Sequence, residues 1–262
     1  MNRQLLQAFL TNDLPSRVIE GMPDMDVEIA ALIDTPQQLS HHPEGSAYTH
    51  TLMVCDYAAQ ISMREELGAF ENAVLRLAAL THDFGKPATT VVYSDGRVTA
   101  HSHPEKGVQP ALDFLRRNRV SQVVIDNVLP LVREHMAHVS FYTPDITTRT
   151  VKRLMSRLEP TNIRMLGYIV EADASGRGGE FYGQGMPARM KEIIDVANNI
   201  DTIIRPDPIV DGETIMQVLG IEPSPLLGKV KAALYQAQLD GKFTDLAGGI
   251  DFLRHNIRIE KS

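Results

Sequence analysis

His82-Asp83 places an imidazole nitrogen and a carboxylate oxygen side by side. A hard or borderline divalent metal needs nitrogen and oxygen donors held rigidly, and this pair supplies one of each. His50 upstream and Asp173 downstream extend the set, so that donors come from three separate helices. Such a site keeps positions open for water and a phosphate. A metal there lowers the pKa of its water and neutralises charge on phosphoryl oxygens. Eight of the nine histidines fall between His41 and His138, with His255 alone outside. Histidines are spread along most chains, so this crowding points to a site.

The elements that must position these residues read as helices. Ala47, Thr51, Val54, Ala58 and Ile61 follow a 3–4 spacing, which predicts a helix over 46–64 that carries His50, with Ser46 as its N-cap. A second helix over 71–82 packs through Val74, Leu77 and Ala78 and ends at the His-Asp pair, where Gly85 can close it and Pro87 stops it. Two β-prone runs, 91–94 and 97–100, flank Asp95-Gly96 and predict a small hairpin with a two-residue turn, a flap or rim on a helical protein. Pro104 opens a helix to about Asn118. Over 121–138, capped by Ser121, Val124, Val128, Leu131 and His135 share a face, so His135 points inward, and Pro130 should kink the helix.

Two helices follow Thr147, and in the second Ile163, Leu166, Ile169 or Val170, and Asp173 share a face. A carboxylate at the inner end of an apolar stripe needs a partner, because burying a lone charge is costly. A further helix spans about 187–204, and Arg205-Pro206-Asp207-Pro208 reads as a linker to helices at 213–219, 225–239 and 245–256. The expected layout is one domain over 1–205, with its core at about 35–180, and a C-terminal helical extension over 206–262.

Composition agrees. At 43% hydrophobic and 23% charged, the 262-residue chain can bury an ordinary core, and with 6% aromatics and no Trp that core is aliphatic, which favours helices. The net charge of −7 gives no field to draw in long DNA or RNA. Cys55 is the single cysteine, which excludes an internal disulfide. No apolar run approaches the roughly 20 residues that cross a bilayer, and the N-terminus lacks a signal-peptide stretch. The expected location is the cytoplasm, with no membrane partner.

Three segments carry a family resemblance: His41-His42-Pro43-Glu44-Gly45 leading to Thr49-His50-Thr51-Leu52; Ala78-Ala79-Leu80-Thr81-His82-Asp83-Phe84-Gly85-Lys86; and Glu171-Ala172-Asp173-Ala174-Ser175-Gly176-Arg177. Their order resembles the H…HD…D signature of HD-superfamily metal-dependent phosphohydrolases, and their flanks resemble the HD domain of bacterial tRNA nucleotidyltransferases. The nucleotidyltransferase head has no counterpart here: about 40 residues precede the similarity, without a Gly-Ser followed by an Asp-x-Asp pair. CCA addition is therefore not carried over.

The resemblance implies an all-α HD-domain helical bundle with a metal at its centre. It also implies hydrolysis of a phosphomonoester or 2′,3′-cyclic phosphodiester of a nucleotide or RNA terminus. His50, His82, Asp83 and Asp173 would hold the first metal. HD proteins with two metals add histidines before the last Asp, and His103 and His135 are the candidates here. Mn, Fe, Co, Ni, Zn and Mg all suit such ligands. Asp83 could also orient the water, and Lys86 and Arg177 would stabilise charge on the phosphate.

The bland readings are a helix-end polar pair for His82-Asp83, a core histidine for His50, a surface lysine for Lys86 and a salt-bridged loop residue for Arg177. His101 and His138 are not expected to be ligands. His41-His42 is expected at the rim of the site. Glu44 and Glu134 could serve as acid–base groups or support the ligands from behind, with solvated carboxylates as the favoured reading. A competing function is a catalytically weak module that binds tRNA or a partner protein with a structural metal. Arg149, Lys152, Arg153, Arg157 and Arg164 discriminate: they should line the metal cleft if RNA is the ligand, and face away from it if a small nucleotide is. The C-terminal helices could mediate a homodimer.

Overall fold

A computed structural model describes residues 1–140, 146–201 and 208–256. The elements run α1 (Arg3–Thr11), α2 (Pro15–Glu20), α3 (Val27–Ala31), α4 (Ala47–Arg64), α5 (Ala69–Thr81), α6 (Lys86–Thr89), β1 (Thr90–Val92), β2 (Val98–Ala100), α7 (His103–Arg117), α8 (Gln122–Glu134), α9 (Ala137–Ser140), α10 (Thr148–Leu158), α11 (Ile163–Ser175), α12 (Ala188–Asp201), α13 (Gly212–Leu219), α14 (Pro225–Leu239) and α15 (Leu246–Asn256). The described residues are all-α apart from one hairpin, as the aliphatic periodicity predicts. No described helix is long and apolar enough to cross a membrane.

The described chain forms two compact units, 1–146 with 153–197, and 147–152 with 198–262. The expected boundary at residue 205, with most of the expected linker and the end of the 187–204 helix, lies outside the described residues. In the first unit α4 packs on α5 and α11, α5 on α8 and α11, and α7 on α8. Val54, Ala58 and Ile61 of α4, Leu75 and Ala79 of α5, Val128 and Leu131 of α8, and Leu166 and Ile169 of α11 are fully buried. Each large aliphatic chain so buried contributes roughly 1.5–3 kcal/mol. Small residues bring the backbones close. A Cβ on Gly176, just past α11, would lie 2.7 Å from the Cα of Val54. The second unit has its own core of Val210, Ile215, Val230, Leu234, Phe243 and Leu253.

Ends follow local chemistry, with three departures from expectation. Ser46 caps α4, its Oγ accepting from the Thr49 amide at 3.2 Å, and Asn162 caps α11 through the Met165 amide at 3.0 Å. Ser121 stands at the N-cap of α8 but makes no side-chain cap bond. The helix expected over 121–138 is broken at His135-Met136 into α8 and α9. Gly85 does not close α5 in a left-handed cap: its φ is −83°. It is glycine because the start of α7 lies against it, a Cβ there falling 2.6 Å from the Gly107 amide nitrogen.

β1 and β2 pair antiparallel, with Thr90 opposite Ala100 and Val92 opposite Val98. Their turn has three residues rather than two. The Gly96 amide donates to the Tyr93 carbonyl at 3.0 Å, Gly96 takes φ +84°, and the Tyr93 amide closes on Arg97 at 2.8 Å. A turn followed by a left-handed glycine is the common three-residue hairpin solution.

Candidate metal centre

Five helices deliver polar side chains to one end of the bundle in the first unit. His50 comes from the first turn of α4, His82 and Asp83 from the end of α5, His103 from the start of α7, His135 from the end of α8 and Asp173 from the last turns of α11. His50, His82, Asp83 and His135 are essentially inaccessible to solvent, and His103 is buried. All six side chains expected as metal ligands therefore converge.

Three of the imidazoles are set by one device. His82 Nδ1 lies 2.8 Å from the Ala79 carbonyl, His103 Nδ1 2.8 Å from that of Ala100, and His135 Nδ1 2.7 Å from that of Val132. Each partner is three residues earlier. A carbonyl oxygen only accepts, so each Nδ1 carries a proton, and each ring, when neutral, presents a bare Nε2 lone pair to the centre. His82 Nε2 and Asp83 Oδ2 are buried without a hydrogen-bond partner. Buried polar groups are normally satisfied, and these atoms fit donors to a cation.

Asp83 is the hub. Its Oδ2 lies 3.2 Å from His82 Nε2, 3.8 Å from His50 Nε2 and 2.6 Å from Lys86 Nζ, and its Oδ1 lies 3.3 Å from His103 Nε2. Asp173 Oδ1 sits 2.9 Å from His50 Nε2 and 3.9 Å from His82 Nε2. Donor atoms of His50, His82 and Asp83 lie within 4.8 Å of one another, and so do those of Asp83, His103 and His135. The two triads share Asp83, one carboxylate oxygen turned to each. The donor set is nitrogen and carboxylate oxygen, as a divalent transition metal requires.

The charges reinforce this. Burial alone would raise the Asp83 carboxyl, but the neighbouring His82 and Lys86 charges hold it well below the carboxylate range. Burial would likewise raise Asp173, and the His50 hydrogen bond outweighs it. His135 is pushed down to about 3 by burial, then by His103 and His82. Burial also lowers His103. His50 alone is raised, because Asp173 and Glu44 outweigh its burial. Both carboxylates are thus held ionised, and burial disfavours protonation of His103 and His135, as metal ligation needs.

A cavity of about 380 Å³ opens from the centre, lined by Asp83, His103, His135 and Asp173 at its polar end and by residues such as Pro36, Val98 and Val139 elsewhere. Lys86 and Arg177 both line it. Lys86 is buried and donates to Gln37 Oε1 as well as contacting Asp83, so it is not the surface lysine of the bland reading. Arg177 Nε donates to the Ala174 carbonyl at 3.0 Å, and its guanidinium lies 4.7 Å over the Phe181 ring. His41, His42, His101 and His138 also line the cavity, and none joins the two triads around Asp83.

Two expectations need correction. Glu44 is not a solvated carboxylate: its side chain is 2% exposed and meets His42, His50 and the Gly178 amide. Its position in the turn just before the Ser46 cap was the available signal, since that turn must abut the first turn of α4. Glu134 is not solvated either, because Arg157 grips it with two bonds of 2.9 Å and Arg133 with a third. Sequence reasoning also missed Gln37, which holds Lys86, and Gln38, whose Oε1 accepts the Val98 amide at 2.8 Å and ties the hairpin to the cavity edge.

Residues 47–161 match the family model for the HD domain. The chain is 32% identical over 212 residues to the multifunctional CCA protein of Xanthomonas oryzae pv. oryzae, covering 76% of this chain and 48% of that protein. It is 31% identical over 187 residues to the multifunctional CCA protein of Halorhodospira halophila, covering 67% and 42% respectively. It is 30% identical over 217 residues to the CC-adding tRNA nucleotidyltransferase of Thermus thermophilus, covering 82% and 45%. The chain spans about half the length of the curated relatives it matches.

Proposed function

We propose that this chain, whose residues 47–161 are an HD domain related to those of tRNA nucleotidyltransferases, is a divalent-metal-dependent phosphohydrolase acting on a phosphomonoester or 2′,3′-cyclic phosphodiester of a nucleotide or RNA terminus. The observation that carries the reading is the Asp83 carboxylate, shared by two nitrogen-oxygen triads at the polar end of a cavity. His50, His82, Asp83 and Asp173 would hold one ion, and Asp83 with His103 and His135 a second. Divalent metal bound there supplies charge neutralisation at the phosphoryl oxygens and an acidified water. Lys86 adds positive charge beside Asp83. Arg177, stacked on Phe181 and fixed through Nε, offers its remaining N–H groups to a phosphate.

A cavity of about 380 Å³ is in the range of small-ligand sites and favours a single nucleotide over a length of strand. The arginines that would grip RNA support the same choice. Arg157 is committed to Glu134 and Arg164 to Glu71, and neither they nor Arg153 line the cavity. Arg149, which groups with the second unit, pairs with Asp240 there.

The test is hydrolysis of bis(p-nitrophenyl) phosphate by metal-stripped protein resupplied with Mn²⁺, Co²⁺, Ni²⁺ or Mg²⁺, beside Asp83→Ala. Turnover that needs metal and disappears in the variant supports the reading, and 2′,3′-cyclic nucleotides and nucleoside monophosphates are then compared. No turnover of any of these above the Asp83→Ala background would favour the binding module.

A further inference from the structure

Two neighbouring glutamines line the cavity, and their side-chain amides are used differently. Gln37 spends both ends: its Oε1 accepts from Lys86 Nζ, and its Nε2 donates to the Ser46 carbonyl at 3.1 Å. Gln38 spends one. Its Oε1 accepts the Val98 amide at 2.8 Å, and among the described residues its Nε2 donates to no atom. A backbone N–H only donates, so the Val98 contact fixes which end of the Gln38 amide is oxygen and which is nitrogen. The residue itself is held as well, because its carbonyl accepts the His41 and His42 amides, both at 2.9 Å. Val98 belongs to β2 and lines the same cavity, so the amide is anchored at the cavity wall. The N–H groups of a half-buried Gln38 are thus an oriented donor with no protein acceptor among the described residues.

The walls define the acceptor it suits. Away from the metal centre the lining includes aliphatic side chains, among them Pro36, Val98, Val139 and Pro187. Among the described residues the lining holds two carboxylates, Asp83 and Asp173, and both belong to the metal centre. Apolar walls with a few placed polar groups suit a flat heterocycle. A glutamine that reads adenine uses both ends of its amide, accepting from the N6 amino group and donating to N7. Gln38 has already given its oxygen to Val98. What it keeps is a donor, which matches a carbonyl oxygen on the ring. Uracil and guanine present one, and adenine does not.

We propose that Gln38 is the base-reading residue of a nucleoside subsite in this cavity. It donates through Nε2 to a ring carbonyl, so uracil and guanine nucleotides are preferred over adenine nucleotides. The inference rests on this cavity holding the nucleotide of the hydrolase reading and adds which bases it takes.

The test is calorimetric titration of the full chain, as purified and again in chelator, with uridine, guanosine and adenosine 3′-monophosphates and with ribose 5-phosphate. Uridine and guanosine monophosphates should bind about three- to tenfold tighter than the adenosine one, the size of one neutral hydrogen bond, with ribose 5-phosphate weakest. Gln38→Glu keeps an oxygen for the Val98 amide and replaces the donor by an acceptor. Its charge weakens all three nucleotides alike, so the ratio between bases is read, and that ratio should turn toward adenosine, whose amino group donates. Gln38→Met removes both contacts, should bring the three nucleotides within about twofold of one another, and carries the test if Gln38→Glu does not fold. A purely structural tie between Gln38 and the hairpin would shift all ligands by one factor and leave the ratio unchanged. Equal binding of the three nucleotides, a ratio unchanged in the variants, ribose 5-phosphate binding as tightly as a nucleotide, or no nucleotide binding would overturn the proposal. A base ratio that holds in a protein without turnover would sink the hydrolase reading and keep this one, and turnover with a flat ratio would do the reverse.

Discussion

The Nε2 atoms of His103 and His135 face each other at 3.1 Å, and each ring has already committed its Nδ1 to a carbonyl. Two neutral rings so arranged have no proton to place between them, and their lone pairs repel. Burial keeps the pair from escaping by protonation, since His135 is held neutral down to about 3. A cation satisfies both. Metal-stripped protein should therefore take up two Mn²⁺ or Co²⁺ per chain, and His135→Ala one, read by elemental analysis after gel filtration. The melting temperature should rise with added metal and return with chelator, because a ligand that binds only the folded state stabilises it.

Glu134 provides a pH-dependent contribution away from the cavity. Arg157 and Arg133 outweigh its burial and lower its carboxyl from 4.5. A depressed carboxyl contributes stability above its unfolded value, and that contribution is lost as pH falls through the folded one. With the Arg157 side chain 48% exposed, the pair is worth only about 1 kcal/mol. Glu134→Gln should lower the melting temperature by about 2–4 °C at pH 7. The gap should narrow as the pH falls below the ordinary carboxylate range when the two proteins are scanned side by side.

Two glycines should respond oppositely to alanine. At Gly85 the added carbon meets the backbone of α7, which cannot swing away, and overpacking costs about 1–3 kcal/mol. Because Gly85 presses on His103, Gly85→Ala should also reduce metal uptake. Gly228 lies inside α14 with nothing within 4 Å, so Gly228→Ala should stabilise by about 0.5–1 kcal/mol through backbone entropy. Denaturant unfolding of the variants checks both signs.

Arg177 is predicted to act in binding rather than in the chemical step. Arg177→Ala should raise KM about tenfold with kcat changed only a few-fold, the loss of one or two charge-assisted hydrogen bonds. Arg177→Lys should not rescue it, because an ammonium neither stacks on Phe181 as a plane nor keeps a bidentate fork. Steady-state kinetics on the best substrate of the phosphodiester screen decide this.

Much of this was legible in the sequence, for reasons visible in particular residues. The helices bearing His50 and Asp173 bury apolar stripes at 3–4 spacing, so periodicity gave their faces and the polar residue at the end of each. The short helices α1, α2 and α3 were not anticipated, because elements of 5–9 residues carry too few turns to show a period. Their anchoring is tertiary: Arg76 donates to the Phe9 carbonyl, and Asp56 accepts the Ser16 amide at 2.9 Å. The break at His135-Met136 was hidden because apolar and histidine spacing continues across it. Gln37 and the burial of Glu44 escape a reading of the sequence because their partners, Lys86 and Gly178, lie far along the chain.

The hairpin has one end that can vary and one that cannot. Its tip, Ser94 to Gly96, is solvent-facing and supplies no wall of the cavity, so insertions or new side chains there would leave the centre untouched. Its base is different. Val98, Thr99 and Ala100 face the cavity, and the Ala100 carbonyl sets the ring of His103. A substitution that shifts β2 would therefore act on the cavity wall and on the setting of that imidazole together.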